Sequence, residues 1–584
     1  MVPETVVAAL DAVWSGSTAG AEESERLDFK QDSPSGAKET LRIVLDAALC
    51  LANTGGGTVV LGVADSTAGP PAFLGTSMDP TAVRLSVHAN SRPPLVVAAS
   101  DETYRGHRLL VVQVPESSEI HSDGKGRAPR RIGTECKGMD PTEQQRLREE
   151  RAGLDWSARV APGLSAPMPA AFVVARRRLS ASLNPERRAL ARLSDEDLLR
   201  ALALVSVDDQ LLQAGRVFLG QDGVSVVYQY RETPGGEPVM VERMTGALLT
   251  VYDRVIELLA LRRRLTPVTL PDGQQLQAED FPELAVREAL TNALIHGDYQ
   301  LDDPVTIEHS PVVLVITSPG PLVAGVRIDN ILTHPSKPRN RRLAAAARTV
   351  ELAEEVGRGV DRMYREMVRS GRPTPTIEAT FDQVRVALVG TAPNVHIARY
   401  VAALPALVRD DTDAMIVLLK LCTSRTIAAR VMAPLLQKGP DETEASLRHL
   451  ASELVGMIEP TRESARLAHP NYRLRDHALK QLGPAVPYAR HKADEIERRV
   501  VAHVWEYDRI TNSTVQNLFT VGSDRARQIL VDLVARQILM KTSTAQRGPS
   551  VEYGRGPKFP PRPARRRARP GSSSSGPNQM PLER

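Results

Sequence analysis

Three consecutive glycines, Gly55–Gly57, separate a run with helical periodicity from a run that reads as a buried strand. On the helix side, LRIVLDAALCLAN places Leu41, Val44, Leu45, Ala48 and Leu49 on one helix face. On the strand side, TVVLGVAD is a continuous apolar run rich in valine. Glycine alone reaches positive φ freely and lets backbones approach closely, so the triplet dictates a tight helix-to-strand connection. Asn53, just before it, is placed to cap the helix end or hold the loop. Residues 22–150 therefore read as one α/β unit. It has a further strand in RLLVVQVPE and a basic segment, GKGRAPRRIGTECKG, after that strand.

A second α/β unit, residues 266–392, opens on the helical run ELAVREALTNALIHGDY. Glu288, Asn292 and His296 are spaced by four and share one face, and Asp298–Tyr299 closes the run. An ordinary amphipathic helix explains such a face, but not the whole order E-x-x-x-N-x-x-x-H-x-D-Y. The strands PVTIEH and VVLVITSPG follow, then a Gly/Pro-rich loop, two helices and the strand QVRVALVG. Residues 151–265 read as a helical and β connector with its own small core, in which Ser194 N-caps a helix facing Asp197.

Two helical units with short β signals follow, residues 405–480 and 490–553, and both read as winged helices. In the second, Ser523 or Asp524 would N-cap a helix whose early residues Arg525, Arg527 and Gln528 suit a major groove. In the first, the corresponding helix begins with Asp441, Glu442 and Glu444, which argues against DNA contact there. Residues 554–584 have the Pro/Ser/Arg composition of a disordered basic tail, with Arg562, Arg565, Arg566, Arg567 and Arg569 adding non-specific phosphate affinity.

Bulk properties narrow the classes. A chain of 584 residues holds roughly three to five domains. Aromatics are only 4%, so the cores rest on Leu, Val, Ala and Ile. The net charge of +4 is misleading: eight basic residues and one Glu from Arg555 to Arg584 carry +7, leaving the rest at −3. Bulk charge does not make the folded body a nucleic-acid binder. Cys50, Cys136 and Cys422 are far apart in sequence and show no metal-ligand spacing, which suggests reduced thiols, a cytoplasmic location and no structural zinc. No apolar run reaches the roughly 18 residues of a membrane span, and the N-terminus lacks the basic start of a signal peptide.

The block ESERLDFK…LCLANTGGGTVVLGVAD resembles the AlbA_2 domain of Schlafen proteins. Asp28–Phe29–Lys30 stands for the family's E-F-K, and Ala52–Gly56 for its A-N-x-x-G-G. The strand end Gly62–Asp65 also matches. The resemblance implies three carboxylates, Glu23, Asp28 and Asp65, that gather around a metal and cut nucleic acid, with Glu25 an alternative to Glu23. Lys125, Arg127, Arg130, Arg131 and Lys137 suit phosphate contact, or form an exposed basic loop.

The run from Glu283 to Tyr299 resembles the N-box helix of GHKL ATP-binding domains, in the variant that follows AlbA_2. That resemblance implies ATP with Mg2+: Asn292 on the metal, Glu288 orienting an attacking water, and His296 a turn beyond. Ser318–Pro319–Gly320 stands where GHKL kinases carry the adenine-reading D-x-G-x-G, so Ser318 and Gly320 become the cofactor contacts there. Arg339–Asn340 matches the group's R-N motif, and Gly357-Arg358-Gly359 its phosphate-cradling lid.

The fold expected is a multidomain α+β chain: an AlbA_2 α/β domain, a GHKL-like α/β sandwich, winged-helix units and the basic tail. The function expected is an ATP-binding, nucleic-acid-binding regulator of transcription, stress or defence. It would work on DNA or RNA as a homodimer or higher oligomer, with nucleotide controlling the flanking domains. The alternatives are a metal-dependent Schlafen-like nuclease gated by ATP, and a catalytically degenerate binding scaffold.

Overall fold

The computed structural model describes residues 3–161, 163, 167–269, 275–353, 359–519, 522–543 and 551–561, leaving aside the side chains at 4, 276, 487–495 and 525. The chain divides into two compact units, one of residues 1–421 and 426–482, the other of residues 422–425 and the chain from 483 onward. The tail arginines from Arg562 on, and with them most of the expected disordered tail, lie outside the described residues.

The first sheet forms as the glycine triplet dictates. Strand β1 (Leu27–Lys30) is followed by helix α1 (Ala37–Thr54) and strand β2 (Gly57–Leu61), which lies parallel to β1 with Asp28 opposite Val59. Strands β3 (Ala98–Tyr104) and β4 (His107–Val114) complete the sheet in the order β1-β2-β4-β3. Gly56 holds φ +79, and a Cβ there would lie 2.6 Å from the Glu116 nitrogen, so no other residue fits. Asn53 holds the loop: its amide donates to the His121 and Pro129 carbonyls at 2.7 Å and accepts from the His121 N–H.

Alternation sorts the two faces of β2. Val59 and Leu61 pack under Val44, Leu45, Ala48 and Leu49 of α1, while Val60 packs with Val6, Leu10 and Val13 of a helix at Glu4–Trp14. The unit therefore begins before residue 22, because the sheet's second face needs that helix. Strands β5 (Pro129–Ile132) and β6 (Glu135–Gly138) form a hairpin, and helix α2 (Pro141–Arg151) follows. Cys50 of α1 and Cys136 of β6 form a disulfide across 86 residues. This corrects the reading of three reduced thiols: distance along the chain says nothing about distance in the fold.

The second sheet has six strands. Strands β7 (Val224–Tyr230) and β8 (Met240–Gly246) come first, followed by helix α3 (Leu248–Ala260) and helix α4 (Glu283–His296). Then come β9 (Val305–His309), β10 (Val313–Pro319), helix α5 (Arg341–Thr349), helix α6 (Gly359–Arg369), β11 (Thr376–Ala379) and β12 (Gln383–Val389). The order is β8-β7-β9-β10-β12-β11, with β7 and β9 parallel. Phe172, Phe218, Tyr228, Leu249, Leu290, Ile307, Ile316, Leu343 and Leu388 share one buried core. A boundary at 266 cuts through that core, so residues 151–265 are no separate connector; two of the sheet's six strands, β7 and β8, come from them. Ser194 does cap its helix, accepting from the Asp197 N–H at 3.1 Å.

Residues 412–474 run helix α7 (Thr412–Thr423), a bridge at Ile427, helices α8 (Ala429–Leu436) and α9 (Pro440–Ala451), then a hairpin β13 (Ile458–Pro460) and β14 (Tyr472–Leu474). Glu444 of α9 is buried and accepts from the Tyr472 hydroxyl at 2.7 Å, so it packs rather than faces solvent. In the second unit, α10 (Pro487–Tyr507), β15 (Ile510–Thr511), α11 (Asn512–Phe519) and α12 (Ser523–Ala535) precede β16 (Leu539–Lys541) and β17 (Glu552–Arg555). Its sheet order is β15-β17-β16, around Val500, Val504, Val515, Leu530 and Tyr553. The N-cap of α12 is Gly522 rather than Ser523 or Asp524.

Candidate functional site

Helix α4 is buried on one side through Ala285, Val286, Ala289, Leu290, Ala293 and Leu294. The spacing of four therefore turns Glu288, Asn292 and His296 together toward the other side, where they line a cavity of about 180 Å3. Ser318 of β10 and Gly359 at the start of α6 line it too, over an apolar floor of Ile316, Met363 and Val386. Gly359 is tight against the helix: a Cβ there would lie 2.4 Å from Glu288 Oε2 and 3.5 Å from Asn292 Nδ2. Arg362, one turn into α6, donates to Glu288 Oε1 at 2.9 Å and fixes the carboxylate. The Asn292 carboxamide has no hydrogen-bond partner among the described residues and is open to the cavity.

Three expected cofactor contacts stand elsewhere. Asn340 is buried and donates to the Ile295 and Gly297 carbonyls at 2.9 Å, satisfying the end of α4. Arg339 donates to the His296 and Pro321 carbonyls and pairs with Glu150 of α2. Gly320, at φ +90, lets the chain pass Asp298, whose Cβ would lie 2.6 Å from any Cβ added. These residues brace the helix and loop around the cavity rather than line it. Gly357 and Arg358 lie outside the described residues.

Burial and the neighbouring Arg339 cation push the His296 imidazole down to about 4. His309 of β9, bonded to the Tyr228 hydroxyl at 2.7 Å, is pushed down to about 4 chiefly by burial. Both are neutral when folded, so their contribution is full above about 6.5 and is lost as pH falls toward 4. For the fully buried His309 the upper bound is about 3 kcal/mol. Urea melts between pH 4 and 7 test this. The wild type should lose stability steeply on acidification and His309→Asn less steeply; equal slopes would contradict it.

The N-terminal carboxylates gather, but cations fill the space between them. Arg131 of β5 donates to Glu23 Oε2 at 3.2 Å, and its other nitrogen lies 2.9 Å from Asp28 Oδ1. Lys30 donates to Asp28 at 2.8 Å, and Glu23 also accepts the Phe29 N–H at 3.0 Å. Burial and the Asp28 carboxylate push Glu23 up to about 7, and burial raises Asp65, which lies in the field of Lys30, Asp28 and Arg131. Glu23, not Glu25, is the partner: Glu25 is exposed. Among the described residues no group of three His, Cys, Asp or Glu is placed to hold a metal. Glu23 and Asp28, two of the three expected metal ligands, thus lie in a buried ionic cluster in which Arg131 and Lys30 supply the positive charge.

This also moves two residues out of the expected phosphate-binding set. Arg131 is 2% exposed. Arg130 is nearly as buried, pairs with Glu143 at 2.8 Å and stacks 4.9 Å over the Phe381 ring beside β12. Lys125 and Arg127 stay exposed, as do Arg527 and Gln528 on α12; the Arg525 side chain lies outside the described set.

Sequence reasoning missed Arg131 as a counter-ion, Arg362 as the anchor of Glu288, and Lys337, which also lines the cavity. It also missed two tethers on the loop from Pro321 to Pro338. Glu150 of α2 accepts the Ala324 N–H at 3.1 Å. Gln437, which ends α8 at φ +56, donates to the Ile328 carbonyl and accepts the Leu332 N–H, both at 2.7 Å. No local signal announces such contacts.

Residues 23–140 match the family model described as Schlafen, AlbA_2. Residues 302–388 match the one described as "Putative ATP-dependent DNA helicase recG C-terminal", a stretch that begins after α4. No curated protein matches the chain. Among solved structures, the DIP2311 protein from Corynebacterium diphtheriae is similar in fold, with a TM-score of 0.50 at 24% identity, over 82% of this chain and 98% of that one. No described helix is long and apolar enough to cross a membrane.

Proposed function

We propose that this chain, in which an AlbA_2 domain is joined to a recG C-terminal-type domain, is a nucleotide-responsive, nucleic-acid-binding regulator. The observation that carries this reading is the cavity where Glu288, Asn292, His296 and Gly359 converge. ATP is the proposed ligand. The donor set fits Mg2+, which takes few protein oxygens and the rest from phosphate and water; Asn292 would hold it. When bound, the ion neutralises phosphate charge. Glu288, fixed by Arg362, orients the attacking water, and the start of α6 offers N–H groups to phosphate.

The loop from Pro321 to Pro338 is the proposed relay. It supplies Val326, Ile331, His334 and Lys337 to the cavity wall, and it is held by Glu150 on one side and Gln437 on the other. A nucleotide that repositions it acts on both flanking modules. The order helix, strand, helix, helix, strand, strand in residues 487–555, and the same order in residues 412–474 with a single bridge at Ile427 in place of the first strand, support winged helices, and Arg527 and Gln528 support DNA contact in the second. The Arg131 and Lys30 pairing favours binding over cleavage at the N-terminal carboxylates.

Gln437→Ala tests the relay. Alanine pays the same cost at positive φ, so the change isolates the side-chain bonds. In the wild type, Mg-ATP should change duplex-DNA affinity by about five-fold or more. The variant should reduce this below about two-fold while each ligand alone binds normally. Unaltered coupling in the variant would overturn the relay.

A further inference from the structure

A second concavity, of about 260 Å3, lies between α2 and the loop that leads into α5. Arg146, Lys337, Arg339 and Arg341 line it, together with Trp156, which stacks on Tyr299 at 6.0 Å. Its carboxylates are spoken for. Glu149 pairs with Arg159 at 2.8 Å, Glu150 with Arg339 at 3.3 Å, and the buried Asp298 lies 3.6 Å from Arg146 and 3.8 Å from Arg339. Of the four cations that line the cleft, Arg146 and Arg339 therefore have carboxylate partners, and the nearby Asp155 carboxylate accepts the backbone N–H groups of Arg341 and Arg342.

The two surplus cations are Lys337 and Arg341. Among the described residues neither side chain has a carboxylate partner: the Lys337 ammonium donates to the Ala324 carbonyl at 2.7 Å, and the Arg341 guanidinium to the Gly153 carbonyl. Cations gathered in a concavity without counter-ions create a positive potential that a compact anion relieves. Arginine and lysine together match phosphate, by fork geometry and point charge respectively. A duplex is too broad for a cleft of this size, and a carboxylate would use only one edge of the cation set. Lys337, Ser336 and Val323 line both this cleft and the cavity at α4, so one loop separates the two.

We propose that this cleft is a second anion site, which takes a small phosphorylated ligand independently of the nucleotide at α4. Occupancy would hold α2 against the loop already tied to Glu150. The inference stands whether or not ATP binds at Asn292, because no residue of that helix lines the cleft.

The test is calorimetric titration of pyrophosphate into full-length Asn292→Ala protein, which removes the first site from play. Saturable binding to one site is expected, weakened about tenfold by adding Arg341→Ala and partly restored by Arg341→Lys. Arg341 is exposed, and a thermal melt of each variant verifies folding. Absence of saturable binding by folded Asn292→Ala protein would overturn the proposal. So would binding unaffected by Arg341→Ala, or displacement of pyrophosphate by a short DNA duplex, which would assign the cleft to nucleic acid instead.

Discussion

Arg131→Ala is expected to destabilise the AlbA_2 unit by about 3–5 kcal/mol, the cost of leaving a buried charge without its partner. Asp28 is 2% exposed and Glu23 is held beside it, so water cannot replace the guanidinium that bridges them. Lys30 alone then faces both carboxylates. The effect has a pH signature. The variant's deficit should shrink as acid protonates the carboxylates, because the unpaired charges disappear. Burial and Asp28 already raise Glu23 to about 7, so its own stabilising contribution is full below about 4.5 and is lost as pH rises toward 7. Pairing Arg131→Met with Asp28→Asn should recover part of the loss, since removing both members of an ion pair costs less than removing one. Urea melts give the answer. A change below about 1 kcal/mol in Arg131→Ala would place the guanidinium on the surface, as the sequence reading had it.

Glu288→Gln is expected to keep nucleotide binding and lose turnover by roughly 10²–10⁴-fold, the usual size of a lost general-base or water-orienting group. Glutamine preserves the shape and still accepts from Arg362, so the change is chemical rather than steric. Asn292→Ala should act differently, weakening Mg-ATP binding itself, because its carboxamide faces the cavity without another partner. Turnover in Glu288→Gln equal to wild type would remove the catalytic role of that carboxylate.

Features fixed by neighbours in sequence were legible. The glycine triplet demanded a helix-to-strand turn, and the structure builds it with Gly56 at φ +79. The spacing of Glu288, Asn292 and His296 put them on one face, and they line one cavity. Features fixed by partners far along the chain were not legible. Arg131 meets Glu23 across 108 residues, and Cys50 meets Cys136 across 86. β7 and β8 read as connector strands because nothing local says that β7 will lie parallel to β9. Arg339 and Asn340 were read as ligand contacts because a motif gives order and not direction. Their side chains instead satisfy the carbonyls that α4 leaves open at its C-terminal end.

The central claim is that the cavity on α4 binds nucleotide, and calorimetric titration of Mg-ATP into the wild type and Asn292→Ala tests it most directly. Saturable wild-type binding, weakened at least about tenfold in the variant, is the predicted result. A folded wild type that takes up no Mg-ATP would contradict it, and would leave the AlbA_2 and C-terminal modules to act without a nucleotide signal.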